Sequence, residues 1–299
     1  DTDPSVAAVL PPGVPLVADL DAALDTPGLE AVVIATPQAH HRTAVAAALA
    51  RGLAVLCEKP VAHTLEDADA IVALGSRPGA HLVIGHMYRV DPRYAAIAAA
   101  VNAGELGAAV QLTARGNVPD YEGRVLAGRT TLANENGVHV FDLFQWLAGP
   151  IVRVYGEASA TGVLGPGLVD SVAITVRFRD GAVGTYATSW TMPSALGYAS
   201  DHVFSFQGAA GLAWIDARQP ETGIVGPGVT RFPGTLAYRD PTGVPYGLYR
   251  TELEAFLAGV RDPGRQAWPV TLAEARSALA VALAADRSMR EGRPIEVEG

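Results

Sequence analysis

The 299-residue sequence has only one cysteine, no long apolar run and no excess of positive charge. Because Cys57 is alone, an internal disulfide framework and a zinc site built on several cysteines are both excluded. No apolar run approaches the ~20 residues that a membrane-spanning helix needs. The formal net charge of -9 argues against a nucleic-acid-binding surface. Since no charged-then-apolar signal segment opens the chain, we expect a cytoplasmic protein.

Lysine is the second scarcity. Of 22 lysines and arginines, Lys59 is the only lysine. Arginine therefore serves wherever any positive charge suffices, and Lys59 is a candidate for chemistry that a guanidinium cannot perform. The alternative is that a surface lysine has survived by chance.

The composition indicates a folded protein. With 49% hydrophobic and 18% charged residues, the chain is too apolar to be disordered. Its length predicts one large or two ordinary domains, each able to bury its own core.

Short apolar runs alternate with helical stretches in the first ninety residues. The predicted strands are Val14–Val17, Ala31–Ala35, Leu53–Cys57 and Leu82–Gly85, and the predicted helices are Asp19–Asp25, His41–Arg51 and Thr64–Ser76. Continuous apolar strands between helices are typical of a parallel sheet covered on both faces. We therefore predict an α/β domain over residues 1–90, with a Rossmann-type doubly wound sheet.

The pattern changes after Asp91-Pro92. The predicted strands are Val110–Arg115, Ser171–Phe178, Val183–Trp190 and His202–Phe206; the predicted helices are Arg93–Asn102, Val138–Ala148, Tyr249–Val260 and Leu272–Arg290. Strands that alternate apolar and polar residues favour an antiparallel sheet with one covered face. Residues 91–299 are predicted to form an α+β domain with a large, mainly antiparallel open sheet, and Gly223–Val244 to form a long loop.

Two strand ends place polar groups at one edge of the first predicted sheet. Thr36-Pro37 follows the second predicted strand, and Glu58-Lys59 ends the third. Ligands of doubly wound sheets bind at this carboxyl edge. The alternatives are an ordinary strand-to-helix connection near Thr36 and a surface ion pair at Glu58-Lys59. Cys57 is predicted to be a buried core residue.

A second group of polar residues opens the Val138–Ala148 helix. Spacings of four and three put Glu135, His139 and Asp142 on one helix face if the helix already runs at Glu135. A carboxylate one turn away can fix the tautomer of a histidine and raise its basicity, which suits a general base. The alternative is a packed histidine after an acidic helix N-terminus. No metal site is predicted, because the adjacent His40 and His41 point apart and His139 has no partner at metal-binding spacing.

Taken together and in order, these motifs resemble the Gfo/Idh/MocA oxidoreductase family (glucose-fructose oxidoreductase, inositol dehydrogenase and their relatives). The motifs are Thr36-Pro37, Glu58-Lys59-Pro60, Gly85-His86-Met87-Tyr88-Arg89-Val90-Asp91-Pro92, Gly104-Glu105-Leu106-Gly107, Gly137-Val138-His139, Trp190 and Gly292-Arg293-Pro294. The resemblance runs along the whole chain. It implies a Rossmann domain that holds NAD or NADP and a second domain whose open sheet mediates homodimers or homotetramers.

The resemblance also implies roles for individual residues. Lys59 matches the catalytic lysine and precedes a cis peptide at Pro60, His139 matches the acid/base histidine, and Glu135 stands where the family usually has aspartate. The implied cofactor-binding residues are Asp1, Thr36, Pro37, Gln38, His41, Glu58, Pro60 and Arg89. The implied substrate-binding residues are Tyr88, Asn136 and Trp190, with Tyr121 and Arg124 as further candidates for the pocket. The implied substrate is a sugar, an inositol or a related polyol.

One family feature is missing from the sequence. No G-x-G-x-x-G turn precedes Asp1, although a dinucleotide site needs one. We expect the first strand, the glycine turn and the first helix to lie upstream of this chain or to have been lost. Asp1 resembles the acidic residue that binds the cofactor ribose, which favours NAD over NADP.

Three other functions remain open. Some family relatives are NAD-dependent glycosidases, and a chain that truly begins at Asp1 is expected to be a non-catalytic binding protein. The motifs could also be packing residues of an unrelated α/β fold.

Overall fold

Three parallel strands form the first sheet. The computed structural model describes residues 1–193, 200–217, 224–226, 229–231, 238–239, 245–262 and 268–298. The strands, in spatial order, are β1 (Ala31–Ile34), β2 (Ala54–Glu58) and β3 (Leu82–Gly85). The parallel sheet predicted for this part of the chain is therefore confirmed.

Short helices connect and cover these strands. They are α1 (Leu20–Leu24), α2 (His41–Ala50), α3 (Leu65–Gly75) and the 3-10 turns Pro4–Ala8, Gln38–His40 and Met87–Val90. Asp19 caps α1 and Thr64 caps α3, each by accepting a backbone N–H in the first turn. The core of this layer contains Val45, Cys57 and Ile71, all fully buried. Cys57 is thus the core residue that the sequence predicts.

The strand predicted over Val14–Val17 is wrong. This segment has no regular structure, and Val14 is 49% exposed. Pro11, Pro12 and Pro15 surround it, and proline cannot donate to a strand ladder. An apolar run broken by prolines therefore lacks the hydrogen bonds that a strand requires.

Seven strands form the second sheet, in the spatial order β14-β5-β6-β7-β4-β8-β9. They are β4 (Ala109–Arg115), β5 (Ile151–Ser159), β6 (Ser171–Phe178), β7 (Val183–Ser189), β8 (Val203–Gly208), β9 (Leu212–Asp216) and β14 (Ile295–Glu296). All pairs are antiparallel except β4 with β7. Buried and exposed residues alternate along β6, as expected for a sheet with one covered face. The predicted antiparallel sheet is confirmed.

Five helices follow β3 in the described part of the chain. They are α4 (Pro92–Asn102), α5 (Asp120–Leu126), α6 (Val138–Ala148), α7 (Leu248–Arg261) and α8 (Leu272–Glu291), and a π-helical turn (Ala133–Gly137) precedes α6. One of them, α7, packs its Phe256 on Leu56 and Val83 of the first sheet. Helix α8 begins with a capping box between Thr271 and Glu274. Its Leu279 packs in the core of the first sheet and its Val281 in the core of the second. The two layers therefore share one helix, and the boundary near residue 90 stays a prediction. No helix in the described ranges is long and apolar enough to cross a membrane.

Two segments contain regular structure that the sequence patterns did not predict. Tyr121 and Arg124 lie on α5, which was not among the predicted helices. The helix follows Pro119, and an ion pair joins Asp120 to Arg124 one turn later, at 3.1 Å. Within the predicted loop Gly223–Val244, β10 (Ile224–Gly226) pairs with β11 (Val229–Arg231), and β12 (Tyr238–Arg239) pairs with β13 (Pro245–Tyr246). The rest of that loop lies outside the described residues.

Candidate active site

The carboxyl end of β2 delivers two charged residues to the edge of the first sheet. Val55, Leu56 and Cys57 are buried, and the strand then ends at the half-buried Glu58. Glu58 Oε2 accepts the backbone N–H of Lys59 at 3.2 Å. The Lys59–Pro60 peptide bond is cis, as the family resemblance implies. This carboxylate therefore helps to fix the backbone that carries the only lysine.

The Lys59 ammonium joins the two parts of the fold. Its Nζ donates to Glu135 Oε1 and, at 3.1 Å, to the Glu135 carbonyl oxygen. The exposed fractions of the two side chains are 13% and 25%. The partners are 76 residues apart in sequence, and their pairing places the π-helical turn beside the end of β2.

The predicted pairing of His139 with a carboxylate is wrong. The π-helical turn at Ala133–Gly137 places Glu135 against Lys59. Asp142 is engaged by Arg89. The Nδ1 atom of His139 is buried, and no hydrogen-bond partner for it exists within the described ranges.

Burial and a nearby positive charge favour the neutral form of His139. Burial, followed by the positive charge of Lys59, holds the pKa of His139 well below its ordinary value. Its ring centroid lies 5.2 Å from that of Tyr88 and 6.2 Å from that of the buried His86. A neutral imidazole can accept a proton, so the ring is suited to general-base chemistry at neutral pH.

Tyr88 connects His139 to a cluster of aromatic rings. Its ring centroid lies 5.1 Å from that of Tyr94 and 5.3 Å from that of His202. A hydrogen bond joins the Tyr94 hydroxyl to His202 Nε2. Tyr88 therefore packs between His139 and this aromatic cluster, and its predicted contact with substrate stays a prediction.

Arg89 is held entirely by the protein. Its guanidinium donates to both carboxylate oxygens of Asp142, each at 2.8 Å, and to Glu274 Oε1 at 3.1 Å. It also donates to the Pro269 carbonyl at 3.2 Å. Both Arg89 and Asp142 are buried. The predicted contact of Arg89 with a cofactor stays a prediction, and its observed contacts tie the start of α8 to α6.

Asp142→Ala is expected to lower the free energy of unfolding by about 3–5 kcal/mol, because it leaves the Arg89 charge buried and half-paired. Urea denaturation measures the change. The matched control is Asp69→Ala, which breaks the exposed Asp69–Arg276 pair at 2.9 Å and should cost about 0–1 kcal/mol. Equal losses in the two variants would contradict the assigned role of the buried pair.

His41 also acts within the protein. Its ring is buried, with Nε2 2.9 Å from the Thr36 carbonyl oxygen and Nδ1 3.1 Å from the Pro60 carbonyl oxygen. A neutral imidazole carries one N–H, so it donates to one of these carbonyls at a time. The ring bridges the loops that follow β1 and β2. A direct contact of His41 with a cofactor stays a prediction.

Of the other predicted cofactor residues, Asp1, Thr36 and Pro37 are exposed, Gln38 is half-buried and Pro60 is buried. Thr36 and Pro37 are exposed directly after β1, and Gln38 opens the next 3-10 turn, with Nε2 3.2 Å from His63 Nδ1. Asp1 is exposed, and its carboxylate accepts the Asp3 N–H at 2.9 Å. Their roles toward a cofactor stay predictions.

Trp190 and Asn136 form one hydrogen-bonded unit. The indole N–H of Trp190 donates to Asn136 Oδ1 at 2.8 Å, and Trp190 is 1% exposed. Gly123 of α5 packs so closely on Trp190 that a Cβ there would lie 2.5 Å from the Trp190 Cβ. Trp190 therefore holds Asn136 and α5 in place, and its predicted contact with substrate stays a prediction.

Sequence reasoning missed two acidic residues beside the site. Glu122 of α5 is half-buried; burial and the charge of Glu135 raise its pKa, against a hydrogen bond from Tyr121 and the charge of Lys59. Glu252 of α7 is buried. Glu252 lies four residues from both Leu248 and Phe256, so the sequence places it on the apolar face of the helix. A charged residue on such a face is unusual and could have been noticed. Within the ranges that the structure describes, no group of three or more acidic, histidine or cysteine residues is arranged to hold a metal ion.

Comparisons with known proteins agree with this geometry. Residues 3–86 match the family described as "Oxidoreductase family, NAD-binding Rossmann fold", and residues 94–213 match the GFO/IDH/MocA C-terminal domain. The chain belongs to the Gfo/Idh/MocA oxidoreductase family. Membership confirms that the first sheet is an NAD-binding Rossmann fold and makes the alternative of an unrelated α/β fold wrong.

Individual relatives give the extent of the likeness. An inositol 2-dehydrogenase of Leifsonia xyli is 32% identical over 229 residues, which are 73% of this chain and 66% of that protein. Myo-inositol dehydrogenase Hyg17 of Streptomyces leeuwenhoekii is 30% identical over 276 residues, which are 89% of this chain and 80% of that protein. Scyllo-inositol dehydrogenase of Lactobacillus casei, solved with NAD(H) and scyllo-inositol, shares the fold. Its TM-score is 0.75 at 17% identity, and the match covers 93% of this chain and 83% of that one.

Proposed function

We propose that the protein is an NAD-dependent dehydrogenase that oxidises a secondary alcohol of an inositol, a sugar or a related polyol to the ketone. The observation that carries this proposal is that the Lys59 ammonium, at the end of β2, hydrogen-bonds to Glu135 in the turn that leads directly into α6, where His139 lies four residues further on. The names of the inositol dehydrogenase relatives support the substrate class. Those names also favour net oxidation over the glycosidase alternative.

The edge of the first sheet fits a nicotinamide cofactor. The exposed Thr36-Pro37 segment and the Glu58-Lys59 pair lie at the carboxyl ends of neighbouring parallel strands, where such ligands bind. Thr36, Pro37, Gln38, Glu58 and Pro60 would line the cofactor, and Asp1 would bind the ribose. His41 would hold these two loops together through the Thr36 and Pro60 carbonyls, and Arg89 would keep α6 and α8 in place. A bound nicotinamide would accept the hydride from the carbinol carbon.

The protein's own side chains would accept the hydroxyl proton and stabilise the developing negative charge. His139 takes the hydroxyl proton as the carbon–oxygen double bond forms. The Lys59 ammonium donates a hydrogen bond to the same oxygen and stabilises its negative charge in the transition state. Glu135 accepts from Lys59 and so keeps the ammonium oriented. Tyr88 packs against His139, and Asn136, held by Trp190, is available to a substrate hydroxyl.

The proposal is tested by cofactor titration followed by turnover. We expect NADH to quench the emission of the four tryptophans saturably and more tightly than NADPH, because the Asp1 carboxylate would repel a 2′-phosphate. NAD+ reduction should then be detectable at 340 nm with myo- or scyllo-inositol. Tight binding of NADPH alone would contradict the role of Asp1. Saturable NADH binding without turnover of any polyol, but with cleavage of a chromogenic glycoside, would favour the glycosidase.

We infer that copies of the chain associate through the open face of the second sheet. Val110, Leu212 and Trp214 expose 47%, 54% and 66% of their surface on β4 and β9, and exposed apolar clusters favour association. A homodimer or homotetramer is expected by light scattering. The mass of a single protomer at micromolar concentration would contradict this inference.

We also propose a cytoplasmic location. Its only cysteine is free and buried, so it needs no oxidising compartment. Cell fractionation tests the location, and recovery from a secreted fraction would contradict it.

A further inference from the structure

Glu252 is a buried carboxyl group that the proposed chemistry does not use. It lies on α7 between the buried Leu248 and Phe256, and it is 2% exposed. Its Oε1 atom has no hydrogen-bond partner within the described ranges. Burying an ionised carboxylate without a partner is strongly unfavourable, so both its protonation state and its position need a physical explanation.

A glycine brings this carboxyl group close to Glu58. Gly85 ends β3 and pairs in register with Glu58 of β2. A Cβ on Gly85 would lie 3.4 Å from Glu58 Oε2 and 3.5 Å from Glu252 Oε1. The two acids thus face each other across a residue that has no side chain. Two such carboxyl groups cannot both ionise cheaply in a buried site, and they titrate as a pair.

Within the part of the chain that the structure describes, no cation pairs with Glu252; Arg89, in the Met87–Val90 turn beside α7, is engaged by Asp142 and Glu274. Glu58 faces Glu252 from β2, and Tyr249 faces it from its own helix. Helix α7 also packs on the Met87–Val90 turn, where Tyr88 interacts with Tyr249. Burial raises the pKa of Glu58, but the charge of Lys59 and the Lys59 backbone N–H, which Glu58 Oε2 accepts, both lower it. Glu252 has no such support, so a proton on Glu252 is the means of neutralising the second carboxyl group.

We propose that Glu252 is a positioning residue for Lys59: as a carboxylic acid it allows the facing Glu58 to stay ionised and to hold the Lys59 amide. The inference rests on the proposed function of Lys59 in polyol oxidation. Burial and the charge of Glu58 raise the pKa of Glu252 to about 8. At neutral pH the pair therefore carries one proton. When this proton is lost at alkaline pH, the two carboxylates repel each other across Gly85. The hydrogen bond from the Lys59 N–H to Glu58 then weakens.

The single lysine makes a direct test possible. When the full chain is labelled with ¹⁵N-lysine, one backbone amide resonance reports on Lys59. We expect this resonance to shift between pH 6 and pH 9.5 with one midpoint close to the pKa of Glu252, about 8, and to stay constant in Glu252→Gln. The matched control is Glu254→Gln on the same helix, because Glu254 is 61% exposed and pairs with Arg250. It should titrate like the wild type.

Two results would overturn the proposal: a wild-type resonance that does not titrate in this range, which needs no variant to observe, or a Glu252→Gln resonance that titrates as the wild type does.

A kinetic profile separates positioning from simple burial. The kcat for polyol oxidation should fall as pH rises through the pKa of Glu252 while KM changes little, and Glu252→Gln should abolish that fall. If the amide shift disappears in Glu252→Gln but the fall in kcat persists, the positioning role is wrong. If no protein turns over any polyol, the proposed function has failed, and the amide titration still decides the pairing of Glu252 with Glu58.

Discussion

Lys59→Met is expected to lower kcat/KM for polyol oxidation by about 10²–10³-fold, the usual cost of removing one donor to a developing oxyanion. The side chain of Lys59 is 13% exposed, and its ammonium is held by the side chain and carbonyl of Glu135. A charge held in this way needs no reorganisation when the substrate oxygen becomes negative. Steady-state rates over a range of inositol concentrations measure the loss.

Two controls separate lost chemistry from lost structure. Arg42→Met removes an exposed cation that pairs with Asp67 at 2.9 Å, and it should leave kcat/KM unchanged. Lys59→Met leaves the Glu135 carboxylate without its cation. The double variant Lys59→Met/Glu135→Gln removes this carboxylate as well, and it should not recover turnover. Recovery in the double variant, or full turnover by Lys59→Met, would show that Lys59 does not stabilise the transition state.

His139→Asn is expected to lower kcat by about 10²–10⁴-fold, the usual contribution of a positioned general base. Asparagine keeps a polar group but cannot accept the hydroxyl proton at neutral pH. The control is His81→Asn, because His81 packs on Phe256 with 5.9 Å between the ring centroids. A loss of the same size in both variants would assign the effect to packing.

The wild-type pH profile tests the same role. Burial and the charge of Lys59 lower the pKa of His139, and the active form is the neutral ring. Activity should therefore persist as pH falls through the ordinary histidine pKa of about 6.5, and the acid limb should lie below that value. An acid limb above it, absent from His139→Asn, would contradict the direction of the pKa shift.

Local sequence patterns predicted most of the secondary structure. Helix α6 has the predicted bounds Val138–Ala148, and β3 and β6 also match their predicted bounds. Apolar periodicity decides such elements, because burial of one face stabilises them. The helix α5 was missed because Gly123 lowers its helix propensity, while close packing on Trp190 requires that glycine.

The site could be predicted only in part, because long-range contacts complete it. The end of β2 and the start of α6 were located from their motifs. The choice of Lys59 as the partner of Glu135 depends on how the two sheets meet and on a π-helical turn that i,i+4 spacing does not anticipate. Glu252 comes close to Glu58 only through the fold, although its place on an apolar stripe marks it as unusual.

The measurement that tests the central claim most directly uses inositol deuterated at its carbinol carbons. The purified protein is incubated with this substrate and NAD+, and the reduced cofactor is analysed by mass spectrometry. The proposed function predicts one deuterium in each molecule of NADH formed, with the matching ketone as product, and formation of both about 10²–10³-fold slower with Lys59→Met. NADH without deuterium, or no ketone from any inositol although NADH binds saturably, would contradict direct hydride transfer at the Lys59–His139 site.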